Sequence, residues 1–289
     1  MNLVFQQHIE NTISSQGRAD LKFNWNSIGG GSINNTYKIT SLSSSYFVKA
    51  NTIDVFKNGF KEEIQGLEFL SSEDTLVPEI VSEGRHEQLI YLVLDWVEAG
   101  SQTSSFWRNF AFQLVALHQQ KGDQFGLEYT NFMGKLPQKN TFSNNFSDFF
   151  MENRLIPQIE LAFDSDLLHI KHVYQFETLY KQLPTIFPIE KPCKIHGDLW
   201  SGNFICNTQE EAVFIDPAVY YGHREVDLAM SLLFGGFSQE FYASYQEIYK
   251  LEKNFQNRKD IYNLYPLLIH LNLFGASYLK SIETIISKF

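Results

Sequence analysis

One short stretch brings several chemically reactive side chains together: CKIHGDLWSGNF, residues 193–204. His196, Asp198 and Asn203 are separated there only by apolar and turn-prone residues. Carboxylate and amide oxygens at such spacing can bind a hard cation, and a carboxylate beside them can accept a proton. The two glycines of the stretch allow tight turns that direct these side chains the same way. A metal site, a catalytic loop and a plain structural turn are all consistent with this stretch taken alone.

The spacing His-x-Asp-x-x-x-x-Asn is that of a phosphoryl-transfer loop, in which Asp accepts the proton of the attacking hydroxyl and Asn binds magnesium. Asp216 follows at the end of the β-branched run AVFID, directly before Pro217. A strand that ends in Asp can present a second magnesium ligand at the mouth of a site; alternatively, Asp216 only opens a turn. Zinc is the weaker interpretation, because the pair His196 and Asp198 lacks a third soft ligand at suitable spacing, although Cys206 is nearby.

The N-terminal part of the chain contains the other features that a nucleotide site of this type requires. Gly29, Gly30 and Gly31 separate two strand patterns, Lys49 lies within the strand pattern YFVKA, and Glu63 lies on the helix pattern that follows. A phosphate-covering hairpin, a strand lysine and a helix glutamate occur in this order in protein kinases. Each feature alone has a structural explanation: turn glycines, a solvated edge lysine and a surface glutamate. No GxxxxGKS or GxxxxGKT stretch occurs, so a Walker-type site is excluded.

Composition and charge narrow the class of protein. The chain has 289 residues, of which 44% are hydrophobic, with a net charge of −10. Such a chain can form one large domain or two packed lobes, and it lacks the basic character of a nucleic-acid-binding protein. An acidic surface is typical of soluble proteins and also suits a cationic substrate. We therefore expect no nucleic-acid partner, and the sequence leaves the oligomeric state open.

Targeting signals and cysteine usage indicate a cytoplasmic protein. The first residues lack the basic and apolar regions of a signal peptide. The apolar tract at 265–279 is too short and too polar to span a bilayer, so no membrane association is expected. The only two cysteines, Cys193 and Cys206, match neither a CxxC motif nor a zinc knuckle, which favours a reducing compartment.

The order of the predicted elements indicates an α/β (α+β) fold with two lobes. Residues 1–97 are predicted to form a small antiparallel β lobe with one main helix, over 60–70, besides a short helix at 1–16. A strand at 89–100 leads into a larger, mostly helical lobe, residues 98–289. Helical periodicity in that lobe covers the following segments: 104–121, 146–162, 167–183, and two long patterns toward the C-terminus.

Several stretches together resemble a known family. HGDLWSGN at 196–203 resembles the aminoglycoside phosphotransferase and choline kinase superfamily, whose fold is protein-kinase-like. The form with tryptophan, together with DPAVYYGHREVDLAMSLLFGGF at 216–237, is similar to the fructosamine/ketosamine kinases. Further matching stretches are GGGSINNTYKI, FKEEIQGLEFL and LVALHQQKGDQFG. The resemblance extends from the glycine stretch to about residue 240, and the 216–237 segment is its most family-specific part.

The resemblance implies ATP and Mg²⁺ as cofactors and assigns roles to matching residues. Asp198 is expected to be the catalytic base, Asn203 and Asp216 the magnesium ligands, and Lys49 with Glu63 the pair that orients the phosphates. The backbone of the connector Asp95–Trp96–Val97 is expected to meet the adenine.

Other positions receive less direct assignments from the resemblance. Asp227 is expected to steady the catalytic loop, and Ser32 stands where some members carry a cysteine, which puts thiol-based control at that point in doubt. Four residues are candidates for contacting substrate, with core packing and salt bridging as the alternative: Trp200, Tyr221, His223 and Arg224. His118 is expected to be a packed or capping histidine.

The expected activity is transfer of the γ-phosphate of ATP to the 3-hydroxyl of a ketosamine, a fructose or ribulose joined through C1 to an amine. Such a phosphorylation would destabilise the adduct and free the amine. Two alternatives stay open at this point. One is another small-molecule kinase of the superfamily, acting on an aminoglycoside, choline or an amino alcohol. The other is a nucleotide-binding pseudokinase that serves as a scaffold.

Overall fold

The computed structural model describes residues 3–16, 22–29, 34–54 and 59–289. The predicted phosphate-loop residues Gly30 and Gly31, together with Ser32, lie outside these ranges. The N-terminal part contains two helices and five strands: α1 (Leu3–Ser15), β1 (Asn24–Ile28), β2 (Asn35–Thr40), β3 (Ser45–Thr52), α2 (Lys61–Leu70), β4 (Ile80–His86) and β5 (Leu89–Asp95). The strands form one antiparallel sheet in the order β1-β2-β3-β5-β4.

The alternation of side chains along β3 places the two helices on opposite faces of this sheet. Val48 packs with Phe5 of α1, whereas its neighbour Phe47 packs with Leu67 of α2. Because successive strand residues point to opposite faces, Lys49 shares the face of Phe47 and of α2. The predicted short helix at 1–16 and main helix over 60–70 correspond to α1 and α2.

The remainder of the chain is mostly helical, with six short strands that form three antiparallel pairs. Its elements are α3 (Ser104–Gln119), β6 (Asn131–Met133), β7 (Leu136–Gln138), α4 (Phe146–Phe150), a π-helical turn (Met151–Leu155), α5 (Ile156–Asp164), α6 (Ile170–Ile186), β8 (Cys193–Ile195), β9 (Phe204–Cys206), β10 (Ala212–Phe214), β11 (Tyr220–Gly222), α7 (Glu225–Leu233), α8 (Gln239–Ile248), α9 (Phe255–Tyr262), α10 (Leu264–Phe274), a 3₁₀ turn (Ala276–Tyr278) and α11 (Leu279–Ile286). The short strands pair as β6 with β7, β8 with β11, and β9 with β10.

Two backbone irregularities divide the C-terminal helical region. Asn254, with φ of 69°, precedes α9, and Gly275, with φ of 88°, follows α10. Residues in this left-handed region cannot continue an α-helix. A further break, at Asn263, separates α9 from α10. The prediction of two long helical patterns is wrong, since the region folds as the four helices α8 to α11.

Helix α3 supports the strands that carry the site. Thr103 caps its start by accepting a hydrogen bond from the N–H of Phe106 at 3.2 Å. Phe106 and Phe110 then lie on the buried face at helical spacing, and Phe110 packs on Phe204 of β9 with ring centroids 4.7 Å apart. Burial of such a phenyl ring contributes roughly 1.5–3 kcal/mol. This packing fixes β9 and β10 against the helical core.

The fold class is confirmed: a mixed α/β structure with a five-stranded antiparallel sheet and many helices. The predicted lobe boundary at residues 97 and 98 stays a prediction; it falls in the segment that joins β5 to α3. Within the described ranges, no helix combines the length and hydropathy that crossing a bilayer requires.

Candidate active site

The loop between β8 and β9 is held by one buried carboxylate. Asp227 on α7 accepts the backbone N–H of His196 with Oδ2 and that of Gly197 with Oδ1, each at 2.8 Å. The buried ring of His196 joins the loop to its surroundings, because Nδ1 accepts the N–H of Asp198 at 3.3 Å and Nε2 donates to the carbonyl of Ile215 at 3.0 Å. The expectation that Asp227 steadies this loop agrees with these contacts.

Gly197 is required at its position for two reasons. Its φ of +82° lies in the left-handed region, and a Cβ there would come within 2.0 Å of the carbonyl oxygen of Ala218. The N–H of Ala218 in turn donates to the carbonyl of His196 at 2.9 Å. The absence of a side chain therefore lets the segment after Asp216 approach the loop closely.

Asp198 projects from this loop beside Asn203. The Nδ2 of Asn203 donates to the Oδ2 of Asp198 at 2.9 Å and to its backbone carbonyl at 2.8 Å. Burial raises the pKa of Asp198 to about 7, the nearby charges of Asp216 and Asp227 add to the rise, and the Asn203 hydrogen bond opposes it. A carboxylate with a pKa near neutrality is well suited to accept a proton from a hydroxyl.

Lys49 connects the sheet to the segment that carries Asp216. Its Nζ lies 2.7 Å from the Oε1 of Glu63 on α2 and also contacts the Oδ1 of Asp216. Burial opposes the lysine charge, but the two carboxylates outweigh this effect and raise the pKa of Lys49. The side chain is therefore a fixed cation at neutral pH. Asp216 itself adopts a φ of 51°, a conformation that Asp tolerates better than most residues.

These residues line one cavity of about 470 Å³. The N-terminal sheet and α2 contribute the following lining residues: Ile28, Gly29, Asn34, Thr36, Phe47, Lys49, Gly59, Phe60, Glu62 and Glu63. The C-terminal part contributes the remainder: Asn131, Phe132, Met133, Gly134, Asp198, Trp200, Asn203, Asp216, Pro217, Ala218, Ile269, His270, Leu273 and Phe274. The cavity thus brings together most of the predicted catalytic, phosphate and metal residues from both parts of the chain.

The predicted adenine connector lies at the end of β5, outside the residues that line this cavity. The N–H of Asp95 donates to Glu79 at 2.9 Å, and that of Trp96 donates to Ser45 at 3.0 Å. The N–H of Val97 has no hydrogen-bond partner among the residues that the structure describes. Of the three connector amides, that of Val97 is therefore the one available to a ligand.

The four predicted substrate residues separate into two groups. Trp200 lines the cavity and is 37% exposed. Tyr221, His223 and Arg224 do not line it, which corrects their assignment as substrate contacts. His223 and Arg224 are buried in the interior directly before α7. Tyr221 in β11 is half-buried and packs on Phe69 with ring centroids 5.1 Å apart.

His223 and Arg224 make extensive contacts in the interior of the protein. His223 stacks on Phe146 with ring centroids 3.8 Å apart, and burial lowers its pKa to about 3. Arg224 donates to Glu190 at 3.0 Å and to the carbonyl of Tyr249 at 2.9 Å. These two side chains hold the C-terminal core together, and the alternative of core packing and salt bridging is the correct one for them.

Sequence reasoning missed two parts of the cavity wall. One is strand β6 with the following residue Gly134, and the other is the face of α10 with Ile269, His270, Leu273 and Phe274. The helical periodicity of the C-terminal region gives no indication that this face lines a cavity. A polar residue such as His270 within so apolar a helix was the signal, since a cavity-lining position explains it.

The donor set permits a magnesium ion but no self-contained metal centre. Among the described residues, no three His, Cys, Asp or Glu side chains are placed to hold a metal by themselves. Asn203 and Asp216 nevertheless offer an amide and a carboxylate oxygen at the cavity. Mg²⁺ in phosphotransferases is bound by one or two protein oxygens together with phosphates and water. The residues therefore fit Mg²⁺ better than zinc.

Comparison with known proteins identifies the family. The sequence model of the family described as Fructosamine kinase matches residues 5–289 of the chain. The chain belongs to the fructosamine kinase family. A "Probable ketoamine kinase" of Enterococcus faecium is 40% identical to it over 94% of this chain and 98% of its own length. The chloroplastic protein-ribulosamine 3-kinase of Arabidopsis thaliana is 33% identical over 100% of this chain and 89% of its own.

Solved structures agree with this membership. The crystal structure of a Haemophilus somnus relative superposes with a TM-score of 0.87 over 99% of both chains at 29% identity. The aminoglycoside phosphotransferase APH(4)-Ia superposes with a TM-score of 0.64 at 13% identity, covering 98% of this chain and 97% of its own. The second likeness concerns the fold alone. The resemblance read from HGDLWSGN and residues 216–237 is confirmed.

Proposed function

We propose that this protein transfers the γ-phosphate of ATP to the 3-hydroxyl of a ketosamine, either fructosyl or ribulosyl. The observation that carries the proposal is the single cavity in which Lys49, Asp198, Asn203 and Asp216 meet in a chain of the fructosamine kinase family. Relatives named as ketoamine kinase and protein-ribulosamine 3-kinase point to the same substrate class. The reaction releases ADP and leaves a sugar 3-phosphate, from which the amine is more readily lost.

Asp198 is the proposed general base. The sugar 3-oxygen forms a bond to the γ-phosphorus while the bond from that phosphorus to the bridging oxygen of ADP breaks, and the hydroxyl proton passes to Asp198. Its pKa of about 7 leaves a substantial ionised fraction at neutral pH. Most of the rate enhancement in phosphoryl transfer comes from positioning and charge neutralisation, so Asp198 also serves to orient the hydroxyl.

Lys49 and Glu63 form the proposed phosphate-orienting pair. Lys49 Nζ is a buried cation on the cavity wall. Its ion pair with Glu63 at 2.7 Å fixes the position of the ammonium group relative to α2. Its contact with Asp216, a proposed metal ligand, supports this role. Gly29 lines the cavity, which agrees with a phosphate-covering turn, and the free N–H of Val97 is the proposed adenine contact.

Magnesium is the proposed second cofactor. Bound Mg²⁺ would neutralise the phosphate charge, and Asn203 with Asp216 would hold it. Both residues line the cavity beside Lys49 and Asp198. Asn203 is also hydrogen-bonded to Asp198 at 2.9 Å, so the proposed metal ligand and the proposed base are held as a unit. Both cysteines are buried free thiols, and we place the reaction in the reducing cytoplasm.

Product identity in a coupled assay tests this proposal. Purified protein is incubated with ATP, Mg²⁺ and one of four acceptors: fructosyl-lysine, ribulosyl-lysine, choline or an aminoglycoside. We expect ADP release with a ketosamine and a product whose phosphorus couples to the proton on C3 in NMR spectra. ADP release only with choline or the aminoglycoside would keep the kinase and reject the ketosamine. Stable nucleotide binding without turnover of any acceptor would favour the pseudokinase.

A further inference from the structure

A buried network of amide side chains joins the hairpin β6–β7 to the segment that follows Asp216. Gln138 at the end of β7 donates through Nε2 to the carbonyl of Ala218 at 3.0 Å and to the Oδ1 of Asn131 at 2.9 Å. Asn131 donates through Nδ2 to the carbonyl of Val219 at 2.9 Å. Gln138 and Asn131 are 0% and 3% exposed, so these bonds are shielded from water.

Groups that can only donate or only accept a hydrogen bond determine how the amide side chains of this network are oriented. Arg154 can only donate, and its Nη2 donates to the Oδ1 of Asn140 at 2.7 Å. The Nδ2 of Asn140 is then left to donate to the Oδ1 of Asn131 at 2.8 Å. This leaves the Nδ2 of Asn131 for the carbonyl of Val219. The carbonyl of Ala218 can only accept, so it fixes the Nε2 of Gln138 as a donor. The Oε1 of Gln138 is then left to accept the hydroxyl of Tyr265 at 3.0 Å.

Arg154 places a cation inside the core, and removing such a charge from water costs free energy. The side chain is completely buried, and its contacts are carbonyl and amide oxygens and aromatic rings. The guanidinium carbon lies 4.0 Å from the ring centroid of Tyr220, in β11 directly beyond Val219. Buried cations require a compensating environment. Here aromatic faces and oriented dipoles surround the guanidinium, while its Nε has no hydrogen-bond partner among the residues that the structure describes.

The network ends on the segment that packs against the catalytic loop. The carbonyl of Ala218 accepts from Gln138, while the N–H of the same residue donates to His196 at 2.9 Å. Ala218 lines the cavity, and so do the residues of β6 and Gly134, which follows it. The same few bonds therefore set the separation between β6 and the loop that carries Asp198.

We infer that Asn131 and Gln138 are positioning residues for the acceptor substrate. They hold β6 and Gly134 at a fixed distance from Asp198, so that the acceptor hydroxyl is oriented toward the base. The bonds described here run to the catalytic-loop side of the cavity and not to the sheet that carries Lys49 and Phe47. Their loss should therefore weaken use of the acceptor while leaving ATP binding intact. This inference rests on the proposed function for the identity of the acceptor.

The test compares Gln138→Leu and Tyr265→Phe with the wild type in steady-state kinetics. We expect KM for the ketosamine to rise at least about tenfold in Gln138→Leu, with a lower kcat, because small misplacements of a reacting group are costly. KM for ATP and the Kd of a non-hydrolysable ATP analogue should stay within about twofold. Tyr265→Phe removes only the hydroxyl that orients Gln138, and it should shift the same parameters in the same direction by a smaller factor.

Asn263→Leu is the matched control. Asn263 is 4% exposed and donates to the carbonyl of Ala229 at 2.8 Å, but neither residue lines the cavity. This substitution should lower thermal stability without raising KM for the ketosamine relative to KM for ATP. Equal changes for acceptor and ATP, or wild-type acceptor kinetics in folded Gln138→Leu and Tyr265→Phe, would overturn the inference. If Gln138→Leu does not fold, Tyr265→Phe decides alone. If the wild type uses another hydroxyl acceptor, the same comparison with that acceptor still tests the positioning role.

Discussion

The Nε2 of His118 donates to the Oδ2 of Asp227 at 3.1 Å, and both side chains are completely buried. The same oxygen accepts the backbone N–H of His196, and the other ring nitrogen of His118 faces the hydroxyl of Tyr245 at 2.8 Å. Helices α3, α7 and α8 are thus linked through one carboxylate to the loop that carries Asp198. His118 is a packed histidine, as expected, and its part in the site is structural.

Asp227→Asn should lower both stability and turnover. The amide group would direct an N–H toward one of the donors that Asp227 now accepts, namely His118, His196 or Gly197. A buried donor without an acceptor costs about 1–3 kcal/mol, and displacement of the loop should reduce kcat at least about 100-fold. Urea unfolding and steady-state kinetics measure the two effects.

Asp260→Asn serves as the control for that substitution. Asp260 forms an ion pair with Lys288 at the surface, where 38% of its side chain is exposed. Its loss should change the free energy of unfolding by less than about 0.5 kcal/mol. A wild-type kcat in Asp227→Asn would show that Asp198 does not depend on Asp227 for its position.

Lys49→Met should abolish most activity even where the protein stays folded. The substitution removes the buried cation between Glu63 and Asp216, and it leaves the Glu63 carboxylate without its ion-pair partner. Loss of one preorganised electrostatic group at a transition state typically costs 100-fold or more, so we expect kcat/KM to fall by at least about that factor. Breaking the buried pair should also destabilise the protein by about 3 kcal/mol.

Lys171→Met is the matched surface variant, because Lys171 pairs with Glu283 at 3.3 Å while its own side chain is 66% exposed. It should leave both kinetics and stability nearly unchanged. If Lys49→Met retained wild-type kcat/KM for ATP, the phosphate-orienting role of Lys49 would be rejected.

His223 should make stability fall as the pH decreases. Burial, followed by the positive charges of Arg258, Arg224 and Lys121, lowers its pKa from 6.5 to about 3. Between these two values the unfolded chain binds a proton at this residue and the folded chain does not, so acid favours unfolding. Between pH 6.5 and about pH 3, protonation of this residue in the unfolded chain lowers the free energy of unfolding by up to about 1.4 kcal/mol per pH unit. Above pH 6.5 this loss of stability is absent.

Comparison of wild type with His223→Gln isolates this contribution. His118 and His196, whose pKa values burial also lowers, are present in both proteins. The variant should be less stable at pH 7 because the stack on Phe146 is lost, yet its free energy of unfolding should decline less steeply between pH 6 and pH 4. Parallel pH profiles in urea titrations would show that His223 titrates normally in the folded protein.

The sequence was most informative where function depends on short spacing. Asp198, Asn203 and Asp216 were predicted from residues close together in the chain, and the structure places all three on one cavity with Lys49. The strand position of Lys49 followed from period-two alternation, which is a local property. These predictions needed no knowledge of how distant segments pack.

Features that depend on tertiary contacts were not predictable in this way. His223 and Arg224 follow the catalytic segment closely in sequence, but their positions depend on Phe146 and Glu190, distant partners that no local pattern reveals. The amide network around Gln138 likewise joins hairpin, loop and α10. A pattern can assign a buried face to a helix, but it does not identify which cavity that helix will line.

The most direct test of the central claim is ADP release by Asp198→Asn with fructosyl-lysine and ribulosyl-lysine as acceptors. Wild type should turn over at least one of them, and omission of Mg²⁺ should stop the reaction. The variant should lose at least about 100-fold in kcat, with the Kd for ATP unchanged within about twofold, because only the proton acceptor has been removed. Near-normal transfer to either ketosamine by the variant would contradict the account and require another base.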